Sequence, residues 1–306
     1  MPSSKPRTGT SAAQPACHSP PSMNAPDSPH HLHAPDGMTV RHIDVDLSQG
    51  FPIYWNNNDP YRSQLLNALS FMFPVGEQFF IDSVRFYAKD VQAKGLTELS
   101  EEIKLFVGQE ATHRHLHQQY NDFLLAQGYT PWVENALKRV IHMTRSFSPK
   151  TKLAITVVYE HFTAMLGDGL LRNASWTEGM TPMMRTLWQW HAAEESEHKA
   201  VAIDTYRAIG GGYVRRALMY LLITFEFYFY VAVQTMLMLH KDGKLFKRQT
   251  WSSALRFWFG REGIFWHMGP HWWAFLKPGF HPWQHDNRDL LVRWRESYAN
   301  AYRPLK

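Results

Sequence analysis

Two copies of a Glu-x-x-His pattern give this sequence its clearest chemical signature. Glu110 and His113 form the first copy, and Glu195 and His198 form the second. Residues three apart on a helix lie on the same face, about one turn from each other. Each pair therefore predicts a carboxylate and an imidazole on one helix face, where both could bind metal.

Each pair follows a glutamate in apolar and aromatic surroundings. Glu77 lies within Phe-Pro-Val-Gly-Glu-Gln-Phe-Phe (73–80), and Glu160 lies within Val-Val-Tyr-Glu-His-Phe (157–162). A carboxylate in such surroundings needs a cation or strong hydrogen bonds, because burial otherwise drives it to its protonated form. The order Glu, Glu-x-x-His, Glu, Glu-x-x-His is the ligand set of dimetal-carboxylate helix bundles. Oxygen-rich ligation favours two iron ions, with manganese or zinc as alternatives.

Further acid and imidazole groups lie close to these pairs in sequence. His191 lies four residues before Glu195 on the same helical stripe, so it could be a third nitrogen ligand. His117 continues the stripe of the first pair and could be a ligand or a proton relay, but we favour a hydrogen-bond partner of a ligand. Glu194 and Glu197 compete with Glu195 for the ligand role. Only Glu195 lies three residues before His198, although the spacing of four at Glu194 is tolerable.

Aromatic residues near the two glutamates indicate what the centre would act on. Phe73, Phe80 and Phe162 flank Glu77 and Glu160 in sequence. We expect these rings to exclude water and to line a pocket for a small apolar or aromatic substrate.

The helical repeat of apolar residues predicts the elements that carry these groups. Long helices are predicted over about 61–91, 97–127, 149–173 and 182–210, followed by a very apolar helix over about 213–240. Shorter helices are predicted over 131–145, 252–259 and 287–302. Pro74 is expected to kink or split the first helix, and N-caps are expected at Thr97 or Ser100, at Ser148 and at Thr181. The predicted fold class is all-α, a ferritin-like four-helix bundle with additional C-terminal helices.

The chain divides into three predicted regions. Residues 1–38 hold 8 of the 18 prolines and 6 serines, with few large apolar residues, and are predicted to be disordered. This segment lacks the apolar core of a secretory signal, so we expect a cytoplasmic protein, and Met38 is an alternative start. Residues 39–240 are assigned to the dimetal bundle with its apolar fifth helix. Residues 241–306 are assigned to a basic, tryptophan-rich extension that packs on the bundle.

Positive charge and tryptophan are concentrated near the C-terminus. Residues 240–306 hold 12 basic and 5 acidic residues and 7 of the 12 tryptophans, whereas residues 39–239 hold 18 basic and 20 acidic residues. The overall charge of +5 is too small for a dedicated nucleic-acid binder. Basic residues and tryptophan also suit the boundary between lipid and water, so contact with a membrane surface is an alternative to a solvated cap. The single cysteine, Cys17, excludes an intramolecular disulfide and a cysteine-rich zinc module.

The segment 217–239 leaves two alternatives open. Its 23 residues are long enough to span a membrane, but Glu226 near the centre argues against a lone span. We favour burial in the bundle or in a homodimer interface, with a C-terminal arginine as the partner of Glu226. Membrane association, by spanning the bilayer or by lying in its interface, is the alternative.

Four histidines lie in the C-terminal region, namely His267, His271, His281 and His285. Tryptophans and prolines surround them, and their spacing does not place them regularly on one helix face. We expect them to cap helices or to line a pocket rather than to build a second metal site.

The sequence resembles a bacterial family described as predicted metal-dependent hydrolases, with a ferritin-like fold. The resemblance covers roughly Val40 to the C-terminus. Its markers are Gly108-Gln-Glu110-x-x-His113-x-x-x-His117, Trp190-His191-x-x-Glu194-Glu195-x-Glu-His198-Lys199 and Gly279-Phe-His281-Pro-Trp283. It implies a metal-dependent enzyme but no particular substrate.

The position of His191 makes the metal-site pattern similar to that of di-iron N-oxygenases that act on aryl amines. Those enzymes carry Glu, Glu-x-x-His, Glu and then His-x-x-x-Glu-x-x-His. The resemblance implies the ligand set Glu77, Glu110, His113, Glu160, His191, Glu195 and His198. It does not extend beyond the site, so it does not imply the substrate.

Three functions are compatible with these patterns. We favour a non-haem di-iron oxygenase or oxidase that uses dioxygen on a small apolar or aromatic substrate. The first alternative is a two-metal hydrolase of an ester or phosphoester, and the absence of arginine or lysine phosphate clamps near the pattern disfavours the phosphoester. The second alternative is a non-enzymatic metal-binding or membrane-associated protein.

Overall fold

The structure is a computed structural model that describes residues 37–305. The predicted disorder of residues 1–38 therefore lies almost wholly outside the described residues. Within them the chain is mostly helical, as the sequence predicts, but it also forms one short two-stranded sheet.

Twelve α-helices lie between residues 60 and 297. In chain order they are α1 (Pro60–Arg85), α2 (Ala88–Ala93), α3 (Thr97–Ala126), α4 (Trp132–Met143), α5 (Pro149–Arg172), α6 (Ala174–Thr177), α7 (Pro182–His198), α8 (Val201–Ala208), α9 (Tyr213–Lys241), α10 (Arg248–Phe259), α11 (Ile264–Phe275) and α12 (Arg288–Ser297). Single 3-10 turns lie at Thr144–Ser146 and Pro282–Gln284. The strands β1 (Arg41–Ile43) and β2 (Tyr302–Pro304) pair antiparallel, with His42 opposite Arg303.

The four helices that carry the predicted ligands pack on one another. α1 contacts α3 and α5, and α7 contacts α5 and α3. A Cβ atom at Gly167 of α5 would lie 2.9 Å from the carbonyl oxygen of Ala192 on α7, so the glycine allows this close approach. Further helices cover this group. α9 packs on α1 and α5, α10 packs on α1, α11 packs on α5, and α12 packs on α7 and α5.

Local capping signals explain only some of the helix starts. Ser148 accepts a hydrogen bond at Oγ from the backbone N–H of Thr151, and Pro149 occupies the first position of α5, as predicted. α7 begins at Pro182, also as predicted, but the side chain of Thr181 makes no cap hydrogen bond. A first-turn proline with its preset φ is therefore the common signal of the two starts.

The predicted N-caps of α3 are wrong. α3 begins at Thr97, and its N-cap is Leu96, which offers no side-chain hydrogen bond. The first turn closes through the backbone instead, because the N–H of Ser100 donates to the carbonyl oxygen of Leu96 at 3.0 Å.

α1 continues through Pro74, contrary to the predicted split. Proline has no N–H to donate to the carbonyl of Ser70, one turn earlier. Asn121 on α3 donates from Nδ2 to this carbonyl oxygen at 2.9 Å. The contact between helices therefore replaces the hydrogen bond that the proline removes. α1 then ends at Arg85, and a separate short helix, α2, follows.

Other elements differ from the sequence prediction because distant contacts decide them. α7 ends at His198, and Lys199 at the break donates from Nζ to the carbonyl oxygen of His285 at 2.9 Å. The sequence patterns did not predict α11, which continues through Pro270. They did not predict the sheet either, because its two three-residue strands come from opposite ends of the described chain.

α9 is the very apolar helix, and it has two different faces. Tyr220, Phe227 and Val231 are buried, whereas Leu222 and Phe225 are 63% and 75% exposed. The expectation of burial in the bundle therefore applies to one face only. Among the described residues, α9 is the one helix that is long and apolar enough to cross a membrane, by length and composition alone.

Glu226 of α9 pairs with a tyrosine and not with the expected arginine. The hydroxyl of Tyr159 donates to Oε2 of Glu226 at 3.2 Å. Arg216, which lies on α9 itself, donates to the backbone oxygens of Phe275 and Lys277. Burial raises the pKa of Glu226, which favours its neutral form in this setting.

Candidate metal centre

Four helices bring the seven predicted ligands into one buried cluster. α1 contributes one residue, α3 two, α5 one and α7 three, and every one of them is at most 4% exposed. They form two groups, and in each group one potential ligand atom per residue lies within 4.8 Å of the others. The first group is Glu77, His113 and His191, and the second group is Glu110, Glu160, Glu195 and His198.

Glu195 connects the two groups. Its Oε1 lies 3.0 Å from Nε2 of His191 and 3.6 Å from Nδ1 of His113, both in the first group. Its Oε2 lies 3.3 Å from Nε2 of His198, in the second group. Because each oxygen faces a different group, this carboxylate is positioned to bridge two cations.

The second group surrounds one imidazole nitrogen with carboxylates. Nε2 of His198 lies 3.2 Å from Oε1 of Glu110 and 3.4 Å from Oε2 of Glu160. Oε1 of Glu110 is also 4.0 Å from Nδ1 of His113, so Glu110 lies between the groups as well. Several carboxylate oxygens and one imidazole suit a hard or intermediate cation.

Three of the four carboxylates of the cluster lack the hydrogen bonds that burial requires. No donor among residues 37–305 makes a hydrogen bond to either oxygen of Glu77, Glu110 or Glu160. Nδ1 of His113 and Nε2 of His191 likewise receive none from the described part of the chain. Buried polar atoms are nearly always paired, so eight unpaired atoms in one cluster need an explanation. Bound cations would satisfy them, and four carboxylates with three imidazoles fit two metal ions.

A hydrogen bond behind His113 determines which of its nitrogens faces the cluster. Nε2 of His113 lies 3.1 Å from Oε2 of Glu194. Burial raises the pKa of Glu194, but Arg41 donates to its other oxygen at 3.2 Å and favours the ionised form. When Glu194 is ionised, as its ion pair with Arg41 favours, it can only accept, so Nε2 of His113 carries the proton and the lone pair of Nδ1 faces the cluster. Glu194 therefore contacts His113 from behind.

Gln109 orients His198 in a similar way. The amide Nε2 of Gln109 donates to Oε2 of Glu197 and to the backbone oxygen of Thr39, both at 2.9 Å. Its amide oxygen must then accept from Nδ1 of His198, at 3.0 Å. Nε2 of His198 is thereby directed at the three carboxylates.

A hydrogen-bonded chain of three side chains, Asn121, Ser70 and His117, orients His191. Asn121 Nδ2 donates to the backbone oxygen of Ser70, so its Oδ1 accepts from the Ser70 hydroxyl at 2.7 Å. The Ser70 oxygen then accepts from Nδ1 of His117 at 2.9 Å, and Nε2 of His117 accepts from Nδ1 of His191 at 2.9 Å. Burial lowers the pKa of His117, which keeps it neutral as this chain requires. The lone pair of His191 Nε2 therefore faces the cluster, and His117 lies behind His191.

Sequence reasoning missed Arg41 and Gln109. Arg41 is 2% exposed and donates to both oxygens of Glu197 at 2.8 and 2.7 Å, in addition to its bond to Glu194. Gln109 could have been suspected, because it directly precedes Glu110 in the first marker motif. Arg41 had no such signal, since it lies on β1, far from the motifs in sequence.

The pKa shifts in the cluster result from burial and from crowding of like charges. Burial, reinforced by neighbouring carboxylates, raises the pKa of Glu77 and of Glu160 well above the usual range. Burial raises the pKa of Glu110 to about 7. Burial alone would lower the pKa of His198, but Glu195 and the other carboxylates raise it well above its usual range. Protons and metal ions therefore compete for the same atoms.

Two small apolar cavities lie beside the cluster. The first has a volume of about 40 Å³, and His191 and one threonine are the polar members of a lining that includes Phe73. Phe73 stacks on His191 with ring centroids 4.8 Å apart. The second cavity, of about 60 Å³, is lined by Phe73 and Phe80 and extends to Phe227 on α9. Phe162, the third predicted pocket residue, instead stacks on Phe227 in the core.

Three of the four C-terminal histidines converge on Asp168 of α5. Nε2 of His267 and Nε2 of His285 lie 3.3 and 3.2 Å from its carboxylate oxygens, and the ring of His271 packs on His285. Asp168, His271 and His285 have potential ligand atoms within 4.8 Å of one another. Arg172 already makes two 3.0 Å hydrogen bonds to this carboxylate, so its charge is balanced without a metal ion.

His281, the fourth of these histidines, has the predicted capping role. Its Nδ1 accepts a hydrogen bond from the backbone N–H of Trp283 and caps the turn Pro282–Gln284. Its Nε2 lies 3.2 Å from the carboxylate of Asp204 on α8. This imidazole therefore connects the C-terminal region to the helices that follow the cluster.

Comparison with known proteins gives one match. The model of a family described as predicted metal-dependent hydrolase matches residues 39–286, which is well over half of the chain. No curated protein and no solved structure matches the chain. The matched region contains all seven cluster residues together with Arg41, Gln109 and Glu194. The chain therefore belongs to the family of predicted metal-dependent hydrolases.

Proposed function

We propose that the cluster is a dimetal centre within a ferritin-like arrangement of α1, α3, α5 and α7, and that the protein is a metal-dependent enzyme. The observation that carries this proposal is the set of three buried glutamates, Glu77, Glu110 and Glu160, whose oxygens have no hydrogen bond from the described residues. A core retains such groups as carboxylates only if cations stabilise them. Two divalent ions would balance the charge of these three glutamates and Glu195.

The side chains around the cluster have separate roles in this proposal. The chemistry that two metal ions supply when bound is activation of water or, for iron, electron transfer to dioxygen. Glu195 would set the separation of the two sites, because its oxygens face different groups. Glu194 and Gln109 would keep the imidazoles of His113 and His198 directed at the sites.

Hydrolysis of a small apolar ester is the reaction that we place first. The family match supports metal-dependent hydrolysis. The cavity beside His191, of about 40 Å³, would take a short apolar acyl group of the substrate, and no arginine or lysine is among the described residues that line it. An uncharged acyl ester therefore suits the cavity better than a phosphoester, which would need cationic partners. Phe73, stacked on His191, would orient the apolar part of the substrate and exclude bulk water.

Oxidation of an apolar or aromatic substrate by iron and dioxygen is the second candidate. The observation that favours it is the placement of His191, Glu195 and His198 of α7 around the same cluster. This is the His-x-x-x-Glu-x-x-His pattern that resembles the di-iron N-oxygenases. The dry cavity beside His191 would also keep water away from an oxidising centre.

Metal loading followed by two activity measurements tests the proposal. Chelator-treated protein is reloaded without oxygen with Fe²⁺, Mn²⁺ or Zn²⁺, and we expect about two ions per chain. Hydrolysis of short acyl esters of 4-nitrophenol by the manganese or zinc form, without oxygen, would support the first reaction. Substrate-dependent oxygen consumption by the iron form alone would support the second. Fewer than one ion per chain under every condition would contradict the dimetal centre.

A further inference from the structure

We propose that an apolar face formed by α9, α10 and α11 docks onto the surface of an anionic lipid bilayer. We define the apolar face by Leu218, Leu222 and Phe225 on α9, Leu255 on α10, and Phe265 and Trp273 on α11. These side chains are between 50% and 75% exposed. The proposal does not depend on the metal centre.

The α9 part of the apolar face is a regular stripe. Leu218, Leu222, Phe225 and Phe229 follow the helical repeat and are all exposed, while a second stripe on the same helix is buried. Only 33% of the most apolar 18-residue window of α9 is buried. A soluble helix normally exposes polar residues on its outer stripe, so this helix has an apolar surface without a partner in the described chain.

Contacts between the three helices make the face continuous. Tyr228 of α9 and Trp258 of α10 have ring centroids 6.1 Å apart, and Phe259 of α10 lies 5.5 Å from Phe265 of α11. Strongly exposed apolar side chains on three neighbouring helices indicate a docking surface, because monomeric soluble proteins rarely expose large contiguous apolar patches.

Charge favours an anionic bilayer over a second copy of the chain. Residues 213–277 contain nine basic and three acidic residues. Lys247, Arg248, Arg256 and Arg261 are among those exposed next to or within α10. A symmetric dimer through this face would bring like charges together, whereas anionic headgroups would attract them. Exposed tryptophan on the same face suits the interfacial region of a bilayer.

A groove on the apolar face also fits lipid. Tyr228, Trp258, Phe265 and Trp273 line a groove of about 360 Å³. Ile264 lines both this groove and the buried cavity beside His191. A bilayer would supply apolar molecules to the groove, whereas a second copy would cover it.

The buried stripe of α9 indicates docking and not spanning. Gln234 accepts from the backbone N–H of Val133 and donates to the backbone oxygen of Thr130, both at 3.0 Å. Arg216 is 4% exposed and donates to the backbone oxygens of Phe275, at the end of α11, and of Lys277. These polar contacts fix one side of α9 to its neighbouring elements, so lipid reaches the other side only, as for an interfacial amphipathic helix.

Vesicle co-sedimentation of the full chain tests the proposal. We expect binding to phosphatidylcholine vesicles in which roughly one lipid in three is phosphatidylglycerol. Binding to pure phosphatidylcholine vesicles should be weaker. The exposed pair Leu222→Glu/Phe225→Glu should lower the partition coefficient at least tenfold. The matched pair Leu125→Glu/Val292→Glu, on α3 and α12, should leave it unchanged, because these residues are exposed outside the apolar face. The charge reversals Lys247→Glu/Arg248→Glu should reduce binding roughly fivefold or more per residue. The control pair Lys89→Glu/Arg139→Glu, which is exposed outside α9, α10 and α11, should reduce binding much less.

Three outcomes would overturn the proposal. The first is binding of Leu222→Glu/Phe225→Glu equal to that of the wild type, and the second is no vesicle binding at all. The third is a dimer in lipid-free solution that this pair converts to monomer, without vesicle binding by either form, which would assign the face to a second copy. The Glu110→Ala variant should bind vesicles like the wild type, so a failed metal centre and a failed lipid surface can be distinguished.

Discussion

Nε2 of His113 lies 3.1 Å from Oε2 of Glu194, while Nδ1 of the same imidazole lies 3.6 Å from Oε1 of Glu195. Two consecutive residues of α7 therefore contact opposite nitrogens of one histidine on α3. Arg41 holds Glu194 from the other side at 3.2 Å. This geometry assigns a supporting role to Glu194 and a metal-facing role to Glu195, so substitutions at the two positions should have different effects.

Glu194→Leu should weaken metal binding without abolishing it. Leucine cannot accept the Nε2–H of His113, so the imidazole loses the contact that orients Nδ1, and such losses reduce metal affinity about 10–100-fold. Competition with a chelator of known affinity measures the change. Glu194→Gln is the control, because its amide oxygen can still accept from His113. Equal affinities in the leucine variant and the wild type would rule out the supporting role.

Glu110→Ala and His198→Ala should each abolish loading of two ions per chain. Both side chains are fully buried in the second group, and the six neighbouring ligands cannot replace them. Helical circular dichroism should persist, and the melting temperature of metal-free Glu110→Ala should not fall, because the change removes a buried carboxylate that has no hydrogen bond. Glu101→Ala, an exposed change on the same helix, is the matched control. Normal metal content in both variants would refute the ligand assignment.

Glu110 should make metal-free protein less stable as the pH rises from about 4.5 to about 7, compared with a Glu110→Gln variant over the same range. The pKa of Glu110 is raised from 4.5 to about 7, so the folded state binds this proton more tightly than the unfolded chain does. The resulting stability is present at low pH and is lost through this window. Raised pKa values of Glu77, Glu160 and His198 act in the same direction, whereas the lowered pKa of His113 and of other buried histidines acts in the opposite direction.

Metal ions need the deprotonated groups, so they should reverse this trend. The rise in melting temperature on adding Mn²⁺ should therefore be larger at pH 7.5 than at pH 5.5. Differential scanning fluorimetry at both pH values, with and without metal, gives the comparison. Without metal, the melting temperature of the wild type minus that of Glu110→Gln should fall from pH 5.5 to pH 7.5. A difference that stays constant or rises would contradict the sign of the argument.

Arg41→Met should destabilise the fold by at most about 3–5 kcal/mol, because Glu194 loses this cation while Glu197 keeps Arg295 at 2.7 Å. Urea unfolding measures the loss. The double change Arg41→Met/Glu197→Leu should recover part of it, since the buried charge is removed together with its partner. A single variant as stable as the wild type would show that the ion pair is not needed.

Much of the fold and of the candidate site follows from local sequence. The helical repeat together with Ser148-Pro149 and Thr181-Pro182 correctly predicted where α5 and α7 begin, because a first-turn proline acts within one turn. The spacing of Glu110 and His113 likewise placed both on one face, because helix geometry alone determines which residues share a face.

What sequence reasoning could not provide are the interactions between distant segments. It predicted a kink or a split at Pro74, and the split is wrong because Asn121 of α3 supplies the missing hydrogen bond. It offered no reason to connect Arg41 with Glu197, which lie on β1 and α7.

The sequence by itself determined which side chains face together within each helix, because that depends only on the helical repeat. Only the tertiary structure decided that Glu195 lies between the two groups, that Glu194 lies behind His113 and that one stripe of α9 is left exposed. Those outcomes depend on how helices pack across the core, where the free energy comes from contacts between residues far apart in the chain.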